Sequence, residues 1–271
     1  MSFLSLTHVT HHYFSKNGYT KALDDVSFSI KEGEFIALLG PSGCGKSTIL
    51  SIVAGIMNQT SGKVLLHDQP IRESEMAIGY MLQQDYLFPW KTIIENVLLG
   101  PKVSKTLGED SREKASELLE EVGLSGVADD YPSSLSGGMR QRVALVRTLI
   151  NDPKILLLDE PFSALDYQTK LKLEDLVAQL LKAYNKTTML VTHDIGEAIA
   201  MSDKIFIMNA NPGTIAKTFD VPIELRNETP FLVRRHPKFQ VLFDKIWKEL
   251  ETEENDQVDT KVVTSKDGSQ E

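Results

Sequence analysis

The stretch GPSGCGKST at residues 40–48 constrains the fold most, because a glycine loop of this pattern works only between a strand and a helix. The apolar run at 35–39 predicts a buried parallel strand before it. The segment STILSIVAGI at 47–56 has helical spacing after it. We therefore expect an α/β fold in which this loop binds the phosphates of a nucleotide. The expected nucleotide-binding residues are Gly40, Pro41, Ser42, Gly43, Cys44, Gly45, Lys46, Ser47 and Thr48.

Each residue type in this loop has a physical task. Gly43 and Gly45 let the backbone turn its amide N–H groups toward phosphate oxygens, and the following helix adds its positive end. Lys46 is expected to reach the β- and γ-phosphates, and Ser47 to ligate Mg²⁺. No basic partner is evident to activate Cys44, so we expect its side chain to point away from phosphate rather than act as a nucleophile.

Two acids follow a second apolar run, ILLLDEP at 155–161. The run predicts a buried strand, and ligands of open α/β sheets bind at the carboxyl ends of the strands. Asp159 is expected to hold Mg²⁺ through water, and Glu160 to polarise the water that attacks a γ-phosphate. An aliphatic run before two acids is common by itself, so this interpretation depends on the phosphate loop upstream.

Two more polar residues follow predicted strands. His193 comes after MLVT, and Gln83 comes after GYML. A glutamine amide at such a strand end is able to ligate a metal and to sense a γ-phosphate. Each residue is a weak signal alone, because lone histidines are usually structural and polar residues are frequent at strand ends.

A second glycine pair lies in LSGGMRQR at 135–142. Ser136 is expected to cap a helix that begins at Gly137, and the pair Gly137 and Gly138 leaves bare amides there as a second anion site. An ordinary capped helix is the alternative. If two copies pair head to tail with two-fold symmetry, Ser136 of one covers the γ-phosphate held by Lys46 of the other, and ATP becomes part of the interface.

Charge and composition exclude several classes of protein. The net charge is −9, and the last 21 residues hold seven acids and two lysines. Proteins that bind nucleic acids usually have a basic face, so we expect no nucleic-acid partner. No apolar run approaches the roughly 18 residues that span a bilayer. The segment MSFLSLTHVTHHYF lacks a basic stretch before an apolar core, so we expect no secretory signal. The single cysteine excludes an internal disulfide and fits a reducing cytosol.

Residues 87–151 are mainly helical in pattern and interrupt the α/β core. In REKASELLEEVGL the apolar residues recur at helical spacing, and Gly123 is the expected stop. Farther on, PKFQVLFDKIWKEL at 237–250 places five apolar residues on one helical face. We expect this face to pack on its own domain, with docking on a partner as the alternative.

Taken in order, the motifs resemble the nucleotide-binding subunit of ATP-binding cassette (ABC) transporters. GPSGCGKST is similar to the Walker A loop, LQQD at 82–85 to the Q-loop, and LSGGMRQR to the signature. ILLLDEP is similar to Walker B, SALD at 163–166 to the D-loop, and VTHD at 191–194 to the switch histidine. The resemblance covers residues from about 3 to 217.

The resemblance implies roles that spacing alone does not. Gln83 would contact the metal, His193 would contact the γ-phosphate, and Asp166 of the D-loop would belong to the nucleotide site. An aromatic residue near the start would stack on adenine. Tyr13 fits this position best, and Phe14 is the alternative.

The fold implied is a P-loop NTPase core of the ABC ATPase type, with an N-terminal antiparallel β-layer and an inserted helical subdomain. We expect the nucleotide-binding core and its antiparallel β-layer at 1–86 and 152–217, and the helical signature subdomain at 87–151. A short C-terminal helical extension is expected at 218–250, and an acidic, disordered tail at 251–271.

The resemblance also implies partners. Two copies would pair head to tail under two transmembrane permease subunits, at the cytoplasmic face of the membrane, and an extracytoplasmic solute-binding protein would deliver the solute. A helix of the permease would enter a groove beside the helical insertion. Phe88, Pro89 and Trp90 are the candidates for that contact, and packing within the subdomain is their alternative role.

A narrower similarity concerns the importers of nitrate, sulfonates and taurine. QQDYLFPWKTIIENV, LSGGMRQR and MSDKIFIMNANPGTI are similar to that group. The group also includes ATPases for bicarbonate and for thiamine- or riboflavin-type precursors, so a precursor importer is the alternative. Ser134 stands where the family often has Glu or Gln, which affects contacts around the signature but not ATP binding. The sequence does not identify the solute, because such a subunit contacts ATP and a coupling helix but never the solute itself.

Functions of other classes remain alternatives. A soluble cassette ATPase that acts on ribosomes or DNA usually has two cassettes in one chain or a coiled-coil insertion, and neither is evident here. An export cassette fits the importer-like stretches less well. A nucleotide-binding regulator without turnover would not need Glu160 and His193.

Overall fold

A computed structural model of the 271-residue chain describes residues 2–16, 18–72 and 78–264, with side chains as far as residue 251. The strands are β1 Leu4–Ser15, β2 Gly18–Ile30, β3 Phe35–Leu39, β4 Ser61–Leu66, β5 Gln69–Pro70, β6 Ile78–Met81, β7 Ile155–Asp159, β8 Thr187–Thr192, β9 Lys204–Asn209 and β10 Thr214–Asp220.

The helices fall between and after these strands. They are α1 Lys46–Val53, α2 Ile93–Val97, α3 Leu99–Val103, α4 Ser111–Glu121, α5 Gly137–Leu149, α6 Tyr167–Ala183, α7 Ile195–Met201, α8 Ile223–Arg226, α9 Pro230–Val233 and α10 Pro237–Thr264. A 3₁₀ turn at Pro132–Ser134 precedes α5.

A six-stranded sheet with the order β10-β9-β3-β8-β7-β6 carries the phosphate loop. Its strands pair in parallel except β10, which pairs antiparallel with β9 at the edge. Residues of β3 alternate between two apolar cores, so that Ile36 and Leu38 face one and Ala37 and Leu39 face the other. Both faces are covered, which is why the central strands are continuous apolar runs in the sequence.

A four-stranded antiparallel sheet with the order β2-β1-β4-β5 covers one of those faces. Leu4, Leu6 and Val9 of β1 are buried in the same core as Ile36 and Leu38. Helix α1 lies in this core as well, through Ile49 and its apolar neighbours. The predicted α/β core with an N-terminal antiparallel layer is therefore confirmed.

The other face of the large sheet is covered by helices, including those of the predicted insertion. Ala115 and Leu119 of α4 and Val143 and Val146 of α5 are buried in that core. Gly123 follows α4 with a φ of 70°, the left-handed conformation expected of a glycine stop. The helical pattern read from the sequence in this segment is thus confirmed.

Asn96 of α2 holds the loop that precedes it. Its Oδ1 accepts from the Phe88 amide at 2.7 Å, and its Nδ2 donates to the carbonyls of Phe88, Lys91 and Thr92 at 3.2, 3.2 and 2.9 Å. The side chain is fully buried, so this bonding meets its polar demand. The loop therefore has a defined shape, with Phe88 partly buried and Trp90 70% exposed.

Helix α10 packs its apolar face on the rest of the chain, as the sequence predicted. Leu242 and Ile246 are buried, and Phe239, Phe243 and Leu250 pack partly buried against the same core. The backbone of α10 extends to Thr264, and the disordered tail expected at 251–271 stays a prediction. Residues 265–271 of the predicted tail lie outside the described residues.

Glu174 of α6 is a buried carboxylate in this helical region. The Glu174 side chain has no exposed area, and Arg234 Nη2 lies 2.7 Å from its Oε2. Burial raises the pKa of Glu174 from 4.5 to about 7, and the charge of Arg234 opposes that rise. Since the folded pKa lies above the unfolded one, the folded state holds its proton longer. This contribution to stability is complete below about pH 4.5 and is lost as the pH rises through about 7.

Glu174→Gln removes this dependence on pH. We expect the free energy of unfolding of the wild type, relative to this variant, to fall by about 3 kcal/mol between pH 4.5 and 7.5. Urea unfolding of both proteins across this range measures it, and Glu120→Gln, an exposed acid on α4, is the control. A difference that stays constant with pH contradicts the assignment.

Candidate functional site

The phosphate loop leaves β3 at Gly40 and closes around the lysine that begins α1. Gly43 and Gly45 have φ values of 81° and 94°, a left-handed conformation that favours glycine. A Cβ on Gly45 would also lie 2.5 Å from Leu23 Cδ2. Lys46 Nζ donates to the carbonyl oxygens of Gly40 and Pro41 at 2.7 and 2.8 Å. The loop thus holds its cation in place by its own backbone.

Cys44 points into the core beneath the loop. Its side chain is fully buried, and a Cβ on Gly40 would lie 3.0 Å from its Sγ. Lys46 Nζ lies 3.6 Å from the same sulfur, so the thiol has a basic neighbour that the sequence pattern did not reveal. Burial still dominates and raises the pKa of Cys44, which the charge of Lys46 opposes. A buried thiol with a raised pKa is a poor nucleophile.

A hydroxyl and a carboxylate meet beside the loop. Ser47 Oγ donates to Asp159 Oδ1 at 3.3 Å, and Tyr80 Oη donates to Asp159 Oδ2 at 3.3 Å. Burial raises the pKa of Asp159, and burial together with the adjacent carboxylate raises the pKa of Tyr80 to about 12. Sequence reasoning missed Tyr80. Its signal is the strand β6 itself, where Tyr80 precedes Gln83 and lies beside Leu157 of β7.

These oxygens fit a hard cation. Mg²⁺ prefers oxygen ligands and is usually bound in proteins by one or two carboxylates together with phosphate oxygens and water. Asp159 supplies the carboxylate and Ser47 the hydroxyl, at the mouth of the loop that is expected to hold phosphates. Within the described residues no group of three or more His, Cys, Asp or Glu is placed to hold a metal ion.

Three predicted residues from three neighbouring strands come together beside the loop. His193 Nδ1 lies 3.2 Å from Glu160 Oε1, and Gln83 Nε2 lies 3.4 Å from Glu160 Oε2. Ser163, whose role the sequence reasoning missed, accepts from Gln83 Nε2 at 3.3 Å. Glu160 has a φ of 46°, and its amide donates to the Val191 carbonyl at 2.9 Å, which turns its carboxylate toward His193. The cluster offers a carboxylate to a water molecule and two polar groups that orient it.

Tyr13 and Phe14 lie on different sides of β1. The Tyr13 and Thr48 hydroxyls lie 3.1 Å apart, and His11 packs edge-on against the Tyr13 ring with centroids 4.7 Å apart. Tyr13 is 44% exposed beside the helix that the phosphate loop begins. Phe14 is 77% exposed and lies near Tyr19, with ring centroids 6.3 Å apart. The geometry therefore favours Tyr13 over Phe14 as a platform for a base.

The two glycines of the second pair differ in what they meet. Ser136 caps α5 by accepting from the Met139 amide at 3.3 Å, as predicted. A Cβ on Gly138 would lie 2.6 Å from Thr169 Cγ2, so this glycine lets α5 approach α6. A Cβ on Gly137 would meet nothing closer than 3.9 Å, and Ser136 and Gly137 are both exposed. The start of α5 at Ser136 and Gly137 therefore lies at the surface of the described chain, while Gly138 is buried against α6.

Helix α5 also clamps the segment around Gln83, which the sequence reasoning missed. Gln141 Nε2 donates to the Gln83 carbonyl at 3.0 Å, and Arg140 Nε donates to Asp85 Oδ2 at 3.0 Å. Farther along α5, Arg147 donates to the carbonyls of Asp85 and Tyr86 at 2.5 and 2.8 Å. The spacing of the two arginines, seven residues apart on one helical face, is the only signal that the sequence holds.

Comparison with known proteins decides the family. Residues 23–163 match the ABC transporter family model. This chain belongs to the ABC transporter family. An uncharacterized ABC transporter ATP-binding protein of Bacillus subtilis (strain 168) is 58% identical over 257 residues, which are 95% of this chain and 99% of that protein.

Relatives whose names state a substrate are more distant. An aliphatic sulfonates import ATP-binding protein of Bacillus licheniformis is 40% identical over 89% of this chain and 92% of its own length. A taurine import ATP-binding protein of Roseobacter denitrificans is 38% identical over 91% of this chain and 95% of its own. A dimeric ATP-binding cassette solved in a post-hydrolysis state with ADP and Pi is 34% identical, with a TM-score of 0.71 over 81% of this chain and 99% of that one.

The predicted resemblance to ABC transporter ATP-binding subunits, the fold class and the enzyme activity are thus confirmed. The chain is the ATP-binding subunit of an ABC transporter, an ATP hydrolase coupled to transport. Among the residues that the structure describes, no helix is long and apolar enough to cross a membrane.

Removal of the aromatic ring at position 13 tests its part in ATP binding. Base stacking on an aromatic side chain contributes about 1–3 kcal/mol, so Tyr13→Ala is expected to raise the Kd for ATP by roughly tenfold. Phe14→Ala, the neighbouring and more exposed ring, is the matched control and is expected to leave the Kd unchanged. Equilibrium binding of a fluorescent ATP analogue measures both, and a larger effect at Phe14 would reverse the assignment.

Proposed function

We propose that this subunit drives the import of a small nitrate-, sulfonate- or taurine-like anion as a head-to-tail homodimer. It works at the cytoplasmic face of the membrane, under two permease subunits that receive solute from an extracytoplasmic binding protein. The observation that carries the proposal is the meeting of Lys46, Gln83, Glu160 and His193 at one edge of the sheet, while Ser136 and Gly137 lie exposed on another subdomain. The sulfonate and taurine relatives favour the class of solute.

The chain binds the nucleotide through its first half. Tyr13 stacks on adenine, and the amides of residues 42–48 bind the phosphates. Lys46 exchanges the carbonyls of Gly40 and Pro41 for the β- and γ-phosphates, because a charged oxygen is the stronger acceptor. Ser47, Asp159 through water, and Gln83 would hold Mg²⁺, which would neutralise charge on the phosphates.

Hydrolysis depends on the cluster beside the loop. Glu160 accepts a hydrogen bond from the attacking water and orients its lone pair toward the γ-phosphorus. His193 bridges the Glu160 carboxylate and a γ-phosphate oxygen, which fixes the direction of attack. Gln83 lies in the same cluster, where it donates to Ser163 and its carbonyl accepts from Gln141 Nε2.

A second copy completes each site. Ser136 and the amides of Gly137 and Gly138 cover the γ-phosphate bound by the other copy, and Asp166 of the D-loop lies at the same junction. Two-fold symmetry makes the same contact twice. ATP thereby joins the two copies, and its hydrolysis removes the phosphate that held them together.

The proposed division into parts follows the chemistry. The core at 1–86 and 152–217 binds nucleotide, the subdomain at 87–151 carries the signature, and 218–250 is the C-terminal extension. In the loop that Asn96 shapes, Trp90 is 70% exposed and contacts a coupling helix of the permease, while Phe88 packs more inward. Helix α5 is hydrogen-bonded to residues 83–86. A displacement of the loop that carries Trp90 is therefore transmitted to both the signature and Gln83.

Glu160→Gln tests the catalytic carboxylate. The amide keeps the shape but is a much weaker base, so ATP turnover is expected to fall at least 100-fold while ATP drives dimerisation. Phosphate release and size-exclusion chromatography with light scattering measure the two effects. Glu120→Gln is the control. Turnover at the wild-type rate, or a hydrolysis-dead protein that stays monomeric with ATP and its permease, contradicts the proposal.

Trp90→Ala tests the permease contact. We expect solute uptake by the reconstituted transporter to fall at least about tenfold, because an exposed aromatic residue is a strong anchor of an interface. The ATPase activity of the isolated subunit should not change. Val103→Ala, an exposed apolar residue of the same subdomain, is the matched control. Normal uptake by Trp90→Ala would remove Trp90 from the contact.

Uptake assays test the class of solute. Proteoliposomes with the whole transporter are expected to take up radiolabelled taurine, an alkanesulfonate or nitrate on addition of ATP. Uptake of a thiamine or riboflavin precursor instead would favour the alternative importer and leave the ATPase mechanism intact. Capture of ribosomes rather than permease by the subunit would favour a soluble cassette ATPase.

A further inference from the structure

A partly buried group of charges lies behind the switch histidine and joins two helices, and its Asp194 side chain is 39% exposed. Lys170 Nζ of α6 lies 2.7 Å from Asp194 Oδ2 and 2.5 Å from Glu197 Oε1. The lysine side chain is 15% exposed and that of Glu197 is 4% exposed. A buried cation is stable only when it is paired, and these two carboxylates supply the pairing. Both carboxylates belong to the segment that begins directly after His193.

This group anchors the backbone on both sides of His193. Asp194 Oδ1 caps α7 by accepting from the Glu197 amide at 3.0 Å, and the Asp194 amide donates to Thr192 Oγ1 at 3.0 Å. Thr192 Oγ1 in turn donates to Glu197 Oε2 at 2.5 Å. The two residues that flank His193 are therefore tied to one another. The His193 ring is 61% exposed, so its position depends on this backbone.

Lys170 also belongs to the helix that the D-loop begins. Asp166, the last residue of SALD, caps α6 by accepting from the Thr169 amide at 3.1 Å. The Lys170 amide donates to the Asp166 carbonyl at 2.9 Å, so one helical turn separates the two residues. A continuous set of bonds thus runs from the D-loop through the first turn of α6 to Lys170, and from Lys170 to Asp194.

The next turn of α6 extends the group to the C-terminal extension. Glu174 lies four residues after Lys170 on the same helical face and pairs with Arg234 at 2.7 Å. One residue later, Asp175 Oδ1 accepts from the Phe231 amide at 2.8 Å. Residues that follow the nucleotide-binding core thus hold α6 against α7.

We propose that Lys170 is a positioning residue for ATP hydrolysis, which transmits the position of the D-loop to His193 through Asp194. The inference rests on the proposed function, in which His193 contacts the γ-phosphate. It adds a route within one chain from the surface that meets the second copy to the residue that acts on phosphate.

The test compares Lys170→Met, Lys170→Arg and Arg234→Met in the full chain. Lys170→Met should lower kcat for ATP hydrolysis at least about tenfold, because a small displacement of a reacting group has a large effect, while KM stays within about twofold. Lys170→Arg, which keeps the cation, should restore most of kcat. If Lys170→Met does not fold, Lys170→Gln is expected to give a smaller loss of kcat in the same direction.

Arg234→Met is the matched control for a purely structural role. It removes the other cation of the group, one turn farther from His193, so it should lower Tm as much as Lys170→Met does while it keeps most of kcat. Equal losses of kcat for the two variants at equal losses of Tm would overturn the proposal, because stability alone would then explain both.

A direct view of His193 gives the second measurement. In protein labelled with ¹⁵N-histidine, the ring resonances of His193, assigned by loss in His193→Gln, should shift in Lys170→Met and stay in place in Arg234→Met. Unmoved resonances in Lys170→Met would overturn the proposal. If His193→Gln itself keeps full turnover, the assigned role of His193 fails, and the proposed function fails with it; if His193→Gln is inactive but Lys170→Met is normal, only the present inference fails.

Discussion

The register of the parallel strands determines where every reacting group of this molecule lies. Leu39 at the end of β3 pairs with Thr192 at the end of β8, and Asp159 at the end of β7 pairs with Val191. The residues that follow these strands therefore emerge side by side, although β3 and β8 lie more than one hundred positions apart along the chain. A slip of one residue would turn alternate side chains to the other face and bury the polar ends.

The sequence predicted this edge because its strands are buried on both faces. Continuous apolar runs such as 35–39 and 155–158 predict buried strands. The candidate site residues were then found directly after each predicted strand. Tyr80 and Ser163 were not found, since a tyrosine within a strand and a serine after a turn are frequent for many reasons.

Contacts between elements were beyond sequence reasoning. Nothing in LSGGMRQR indicates that Gln141 bonds to the Gln83 carbonyl or that Arg140 pairs with Asp85, because each bond joins positions more than fifty residues apart. These bonds place the first turn of α5 and the segment after β6 in one rigid unit. The signature turn and the segment that holds Gln83 are therefore joined directly by side-chain hydrogen bonds.

Cys44 gives the phosphate loop a built-in reporter. The chain has one cysteine, and its sulfur is sealed beneath the loop with its pKa raised by burial. A thiol reagent in solution reaches that sulfur only during moments when the loop lifts from the core. The labelling rate of the unmodified protein therefore reports how often the loop opens. A nucleotide that stabilises the closed loop lowers this rate, and no engineered probe is needed to measure it.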